Sequence, residues 1–461
     1  FMSDRSQNRE NPLGSQPINR LLVRFAVPSI IAMLVSALYN IVDQFYIGRS
    51  VGILGNAATN VAFPLTITCT AVSLMCGIGG AANFNLSMGR GKRDEAVRYA
   101  GNAIMLLFSI GVLLCLTVRL FLRPMMVLFG ATPDVLDYSL TYTGITSLGF
   151  PFLILTTGGS NLIRADGSPR FSMLCTLTGA VLNTILDPLF IFTFHMGMAG
   201  AALATIIGQI ISGIMVIAYL CRFKTVKLTL KALVPSPEHC RAILSLGMAP
   251  CFNQLAMMIV QIVMNNILRY YGAQSNYGSE IPLACAGIIT KVNMIFFSLV
   301  IGLSQGLQPI VSFNYGAAKY KRVRESYLKA AVIATTISTC SFLCFQLFPR
   351  QIIRIFGSGS EEYYHFAEQY FRIFLFFTFL NGIQPITANF FTSIGKAKKG
   401  IFISLTRQIL FLLPLIIILP MFFGIDGVMY SAPVADLTAA ALAVVFMTRE
   451  MRGMKGMQGV D

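Results

Sequence analysis

Apolar residues in this chain gather into long runs separated by short polar stretches. A helix needs roughly 20 mainly apolar residues to cross a bilayer. Twelve stretches qualify: 22–48, 56–85, 97–121, 137–162, 170–194, 197–221, 245–271, 281–312, 326–348, 366–392, 400–423 and 427–449. The pattern predicts an all-α, polytopic membrane protein. The two longest runs, 56–85 and 281–312, exceed the bilayer and are expected to tilt, kink or protrude.

Basic residues orient these spans. With the N-terminus inside, the inner segments hold 24 Lys and Arg, from Arg5, Arg9 and Arg20 to Arg449, Arg452 and Lys455, and the outer segments hold 6. That bias places both termini in the cytoplasm and supports an even number of helices; the expected location is a bacterial plasma (inner) membrane. The chain also repeats itself. LSMGRGKRDEAVRYAGNAIML lies against FNYGAAKYKRVRESYLKAAVI, with Gly89 opposite Gly316 and Gly130 opposite Gly357 at a shift of 227 and Asn161 opposite Asn389 at 228. The halves share one inside–outside order. They are therefore expected to be six-helix lobes related by a pseudo-twofold axis along the membrane normal: 1–221 the first, 242–461 the second, joined by a basic linker over 222–241.

Composition sharpens this reading. Charged residues make up 12% of the chain against about 25% for a soluble domain, and mean hydropathy is +0.69. Trp is absent, leaving Phe and Tyr for the membrane interfaces. The net charge of +16 lies in loops between spans, so it reads as membrane topology and not as a nucleic-acid site. Phe1, ahead of Met2, is set aside, and polar 2–19 leads into the first span without the pattern of a cleaved signal. The ten cysteines suggest no disulfide framework; Cys340 and Cys344, four apart, read as buried thiols serving as small hydrophobes. No HExxH, GxSxG or Walker A motif and no metal-spaced His/Cys cluster occurs, GIGG at 77–80 reads as close helix packing, and no loop is long enough for an ATPase domain. An enzyme, including a membrane-embedded transferase, is not expected; no cofactor is called for, and an ion gradient must supply energy.

Acids inside a membrane cost roughly 2.5–3.5 kcal/mol each on insertion scales, so the few present carry information. Asp43 lies in ALYNIVDQFYIGR and Asp187 in VLNTILDPLFIF. Asn183 sits one helical turn from Asp187, Tyr39 and Asn40 precede Asp43, and Pro188 should kink its helix. If the two helices meet, the carboxyls cannot both stay ionised cheaply. The pair becomes a proton switch or, with neighbouring oxygens, a sodium site, Asp43 and Asp187 then being the metal ligands. The repeat is an internal control: Pro28 opposite Pro250 sets Asp43 against Asn265, and Asp187 falls near Leu415, so the second lobe lacks the acids. That lobe offers Gln254, Met257, Gln261, Asn265 and Gln305, a lining of amides and adaptable apolar groups suited to varied ligands. With Tyr39 and Asn40 these are the substrate-binding candidates. Arg407 and Asp436, on the last two helices, are expected to pair and neutralise each other; His195, by an outer loop, reads as solvated.

Three stretches together carry a resemblance: VPSIIAMLVSALYNIVDQFYIGR on helix 1, NLIRADGSPRFSML at the fourth inner junction and LNTILDPLFIF on helix 5. Over about residues 20–450 the chain resembles the multidrug and toxic compound extrusion (MATE) transporters, in particular their DinF-like, MepA-type bacterial branch. The resemblance implies a two-lobed antiporter that exports organic cations and other amphipathic drugs in exchange for protons or sodium, working as a monomer among membrane lipid. It implies a first-lobe cluster of Asp, Asn, Asp and Thr, which falls by motif on Asp43, Asn183, Asp187 and Thr205. Loading that cluster is expected to change the bend of helix 1. Helix 7 here, CFNQLAMMIVQIVMNN, has no acid, unlike the NorM-like branch, so a second-lobe cation site of that kind is not expected. A lipid-linked oligosaccharide flippase of the same superfamily is the alternative, although its pyrophosphate substrate would want a basic cavity.

Overall fold

The computed structural model describes residues 11–457 and 459; Phe1, Arg5 and Arg9 lie outside them. Among the described residues, eleven helices are long and apolar enough to cross a membrane: α1 (Ile18–Ser50), α2 (Ile53–Gly89), α3 (Arg93–Leu120), α4 (Pro133–Ala165), α5 (Pro169–Thr193), α6 (Met198–Leu220), α7 (Pro237–Ala273), α8 (Glu280–Gly316), α9 (Tyr320–Leu347), and the two that follow the tenth span. The tenth, α10, is a broken span, Glu361–Leu380 and Ile383–Ser393 bent by 41°; α11 (Ala397–Phe423) and α12 (Ile425–Lys455) complete twelve. The protein is all-α and polytopic, in two six-helix lobes.

Both long runs extend beyond their sequence-based limits, and so does α7, which begins eight residues before the expected 245. At 37 residues each, α2, α7 and α8 span about 55 Å. This exceeds a hydrocarbon layer of about 30 Å, so their polar ends protrude. Pro237 at the first turn of α7 gives the physical reason for its earlier start: it needs no donor there and presets the helical φ. After Pro188, whose missing N–H interrupts the ladder, α5 widens into a π-helical turn over Leu189–Thr193; α11 carries one at a different register, over Thr406–Leu412.

The repeat is visible in the helix starts. Gly197 and Gly424, 227 apart, both precede their helices at positive φ, 59° and 66°, a backbone shape that only glycine adopts cheaply. The pseudo-twofold also pairs the principal contacts between lobes, α1 on α8 and α7 on α2. We call the end bearing the basic segments the inner end. There the two lobes approach backbone to backbone. A Cβ on Gly247 would stand 1.8 Å from the Met75 carbonyl oxygen, one on Gly79 2.0 Å from that of Ile243, and one on Gly306 2.5 Å from the Cα of Ala26. Gly79 belongs to the GIGG run, whose first glycine, Gly77, meets Gly158 of α4 within the first lobe.

Two polar straps cross at the same end. The segment before α1 is held by the second lobe: Asn314 donates to the Leu13 carbonyl at 2.9 Å, Lys319 to Gly14 at 2.8 Å and Arg322 to Gln16 at 2.6 Å. The linker before α7 is held by the first lobe, where Asn102 accepts from Ser236 N at 2.9 Å and Glu95 meets His239 at 2.9 Å. Asp166, in the RADGSPR motif, accepts from Tyr219 Oη and from the backbone of Lys224 and Thr225, pinning the start of the linker to the α4–α5 junction. Leu21, Leu22 and Phe25 of α1 pack into the second lobe's core and Ile243 of α7 into the first's. Cys340 and Cys344 are exposed on α9 and not buried as expected, because that face looks out of the bundle, where lipid accepts a thiol as readily as a core does.

Gly247→Ala tests the inner contact. With spin labels at Arg93→Cys and Lys321→Cys, in a background lacking the exposed cysteines, the inter-label distance is expected to lengthen. A distance distribution identical to that of the parent would show that these glycines do not set the approach.

Candidate functional site

The first-lobe chamber forms where α1, α4, α5 and α6 face one another. Asp43, two turns from the outer end of α1, is 7% exposed; Asp187 on α5 is 1% exposed and Asn183 3%. Their carboxyls lie within hydrogen-bonding reach of each other. Turned with its nitrogen inward, the Asn183 amide donates to both Asp187 oxygens at 3.2 Å. Asp43 Oδ1 is buried with no protein donor among the described residues. Two carboxyls so placed repel when both are charged and hydrogen-bond when they share one proton. Sharing one proton is therefore the arrangement that removes the repulsion.

Tyr39 of α1 and Tyr142 of α4 stand close enough to feel both acids. The Tyr142 hydroxyl lies within reach of Thr205, whose own hydroxyl donates to the Ala201 carbonyl at 3.0 Å. So the helix back-bond consumes the Thr205 proton and leaves its oxygen to face the chamber. Asn40 is exposed and spends its amide on the Ser36 carbonyl of its own helix at 3.0 Å. The structure thus brings Asp43, Asn183, Asp187, Thr205 and Tyr39 together and leaves Asn40 aside. Tyr142 escaped sequence reading because a tyrosine in a span normally marks an interface.

An opening of about 520 Å³ lies at the outer end of this lobe, lined by Ser50, Tyr138, Ile191 and His195 among others. Tyr138 and Ile191 each stand one helical turn outside Tyr142 and Asp187, so the opening ends one turn above the chamber. His195, exposed and at φ 52°, sits on its rim.

A second cavity, about 120 Å³, lies within the second lobe and against α2. Three expected residues line it, Gln254, Met257 and Gln305, beside Gln384, Asn389 and Arg407, which sequence reading had not placed there. Asn389 carried a usable signal as the repeat partner of Asn161. Gln261 and Asn265 lie outside this cavity: the Gln261 amide donates to Asn265 Oδ1 at 3.2 Å, one turn along α7. Arg407 and Asp436 do pair, Nε to Oδ1 at 2.5 Å, and Asn381 at the break in α10 donates to the other carboxylate oxygen at 3.3 Å.

Two membrane-spanning lobes closed at one end, each with a cavity, have the form of a membrane transporter. A family model described as MatE matches residues 28–189 and 250–418, one block in each lobe, and the chain belongs to that family. It is similar to the multidrug export protein MepA of Staphylococcus haemolyticus, 25% identical over 429 residues covering 93% of this chain and 92% of that one. The protein of the same name from Staphylococcus aureus strain MSSA476 is 23% identical over 439 residues, 94% and 95% of the two chains. Among solved structures, the chain resembles one described as the outward-facing conformation of a multidrug resistance MATE family transporter of the MOP superfamily. That match has a TM-score of 0.90 and 22% identity over 97% of this chain and 98% of that one. The resemblance drawn from helix 1, the fourth inner junction and helix 5 therefore holds at the level of family and fold.

If the acid pair served folding, removing its charge would weaken the lobe. If it is a site held at a cost, replacing both carboxyls by amides relieves repulsion while keeping shape and hydrogen bonds. The double variant Asp43→Asn/Asp187→Asn is expected to melt at or above the temperature of the parent in detergent. A clear drop would mark the pair as structural.

Proposed function

We propose that this chain exports small amphipathic molecules, chiefly organic cations, in exchange for an ion taken up by the first lobe. One observation carries the reading: Asp43 and Asp187, buried acids of different helices, face each other in one chamber, one turn from an outer opening. Membership in the MatE family and the export function named for the MepA relatives support it.

The ion best suited is the proton. Two facing carboxyls can share one proton directly, and the Asn183 amide beside Asp187 suits its charged or its protonated form by turning over. A hard cation such as sodium would want the Asn183 oxygen to join those of Asp43, Asp187 and Thr205. In the cycle, an ion enters through the outer opening and loads the Asp43/Asp187 pair. The chamber loses its negative charge, and a bound cation is released outward. Release of the ion to the cytoplasm restores the charge and the affinity. Ion and substrate must then each lower the other's affinity by the same factor. Each elementary charge moved inward down about 100 mV yields about 2.3 kcal/mol to drive the exchange. Asp43 lies on α1, which packs against both α5 and α8, so loading is felt at the contact between lobes. Both termini are placed in the cytoplasm of a bacterial plasma membrane, and the chain works as a monomer without a bound cofactor. The flippase alternative draws no support, since a pyrophosphate wants several cations and Arg407 is the one basic side chain lining the second-lobe cavity.

Ethidium efflux from energised vesicles, with the pH and sodium gradients collapsed one at a time, tests this. Efflux is expected to stop when the pH gradient is lost and to persist without sodium; the reverse pattern would reassign the ion. Asp187→Asn is expected to abolish efflux while inserting normally, and parental transport by that variant would remove Asp187 from the mechanism.

A further inference from the structure

Arg407 is only partly used by its ion pair. Its side chain is 9% exposed, against 1% for Asp436, and it lines the second-lobe cavity that the carboxylate does not reach. Nε serves Asp436, and the guanidinium carbon lies 5.7 Å from the centre of the Phe297 ring. No described residue accepts from Nη1 or Nη2. The pair is therefore a dipole with its positive end toward the cavity. Nothing there opposes it, because the lining contains no Asp or Glu. Near Arg407, Gln254, Gln305 and Gln408 also line the space, and no other described side chain engages their amides.

The fold does not demand this pair. With the repeat registered on Gly197 and Gly424, Asp436 falls opposite Gln209, and Arg407 falls opposite the uncharged stretch Gly179–Val181. One lobe builds the same helices without it. The π-helical turn that begins at Thr406 carries Arg407, and such turns are frequent at functional sites. A planar fork of two N–H donors, flanked by neutral amides and an aromatic ring, is the chemistry that recognises a carboxylate.

We propose that the second-lobe cavity binds the carboxylate of zwitterionic or anionic amphipathic molecules through the Arg407 guanidinium, with Asp436 holding the fork in place. At about 120 Å³, against roughly 300–1,000 Å³ for drug-sized sites, the cavity takes one end of such a molecule and not the whole. The two lobes thus sort substrates by charge, the first favouring cationic groups and the second carboxylates. This rests on the reading of the chain as an exporter whose second-lobe cavity touches substrate.

The test is binding of rhodamine B, whose carboxylate is free, and of its ethyl ester, in which it is masked, to the purified full chain in detergent at pH 7, read by fluorescence anisotropy. The free acid is expected to bind at least about tenfold more tightly. In Arg407→Gln/Asp436→Asn, which removes both charges and orphans neither, the preference is expected to fall to about one. Equal binding of the two dyes by the parent, or a preference that survives in the folded double variant, overturns the proposal and leaves the exporter reading intact. If neither dye binds, the cavity does not contact substrate and both readings of it fail. Should the double variant not fold, Arg407→Lys decides: lysine keeps the ion pair but cannot present two parallel donors, so an undiminished preference there also overturns the proposal.

Discussion

Backbone against backbone, with no side chain between, is the contact on which this molecule depends. At Gly79, Gly247 and Gly306 the helices of opposite lobes come so near that even a methyl group would collide with main-chain atoms. Lipid is as apolar as leucine, so burial of apolar surface does not drive helices together within a membrane. Close packing and polar ties must do it instead. These contacts supply the first and sit beside the second. They gather α1, α2, α7 and α8 at the inner end, and the cavities of the two lobes lie beyond them, toward the outer side.

On this symmetric frame the charge is asymmetric. The first lobe carries two acids that face each other; the second carries an acid neutralised by an arginine. Neither arrangement is a requirement of the helices that hold it, because in each case the repeat builds the same element with neutral residues, Asn265 in place of Asp43 and Gln209 in place of Asp436. The charges are additions to a shared scaffold, placed where they cost most. This cost is what sets them apart from the rest of the helices that carry them.

The architecture was legible because membrane spans are announced by length and apolarity, and because the duplication left matching glycines. The acid pair was legible for a related reason: an ionised group in a span is too costly to be incidental, and Asn183 and Asp187 share a helical face. What stayed hidden was which faces meet. A helix in lipid is apolar all round, so periodicity does not tell a lipid-facing side from a cavity-facing one. Hence Tyr142 went unnoticed beside the acids and Cys340 and Cys344 were expected inside. For the same reason Gln261 and Asn265 could not be separated from Gln254, although only the last faces the cavity. Arg407 and Asp436 were correctly paired by charge, yet the direction of the guanidinium's remaining donors is a matter of three dimensions only.

The crossed straps have a mechanical meaning. The leading segment of each half is tied to the other half, by Asn314, Lys319 and Arg322 on one side and by Asn102 and Glu95 on the other. Neither half can therefore swing outward alone; parting them strips both sets of ties in one event, and a half-parted shape would leave carbonyls and cations unserved on both sides. Such a lock favours two discrete shapes over a continuum. It gives the cations Lys319 and Arg322 the part of a catch between the two halves.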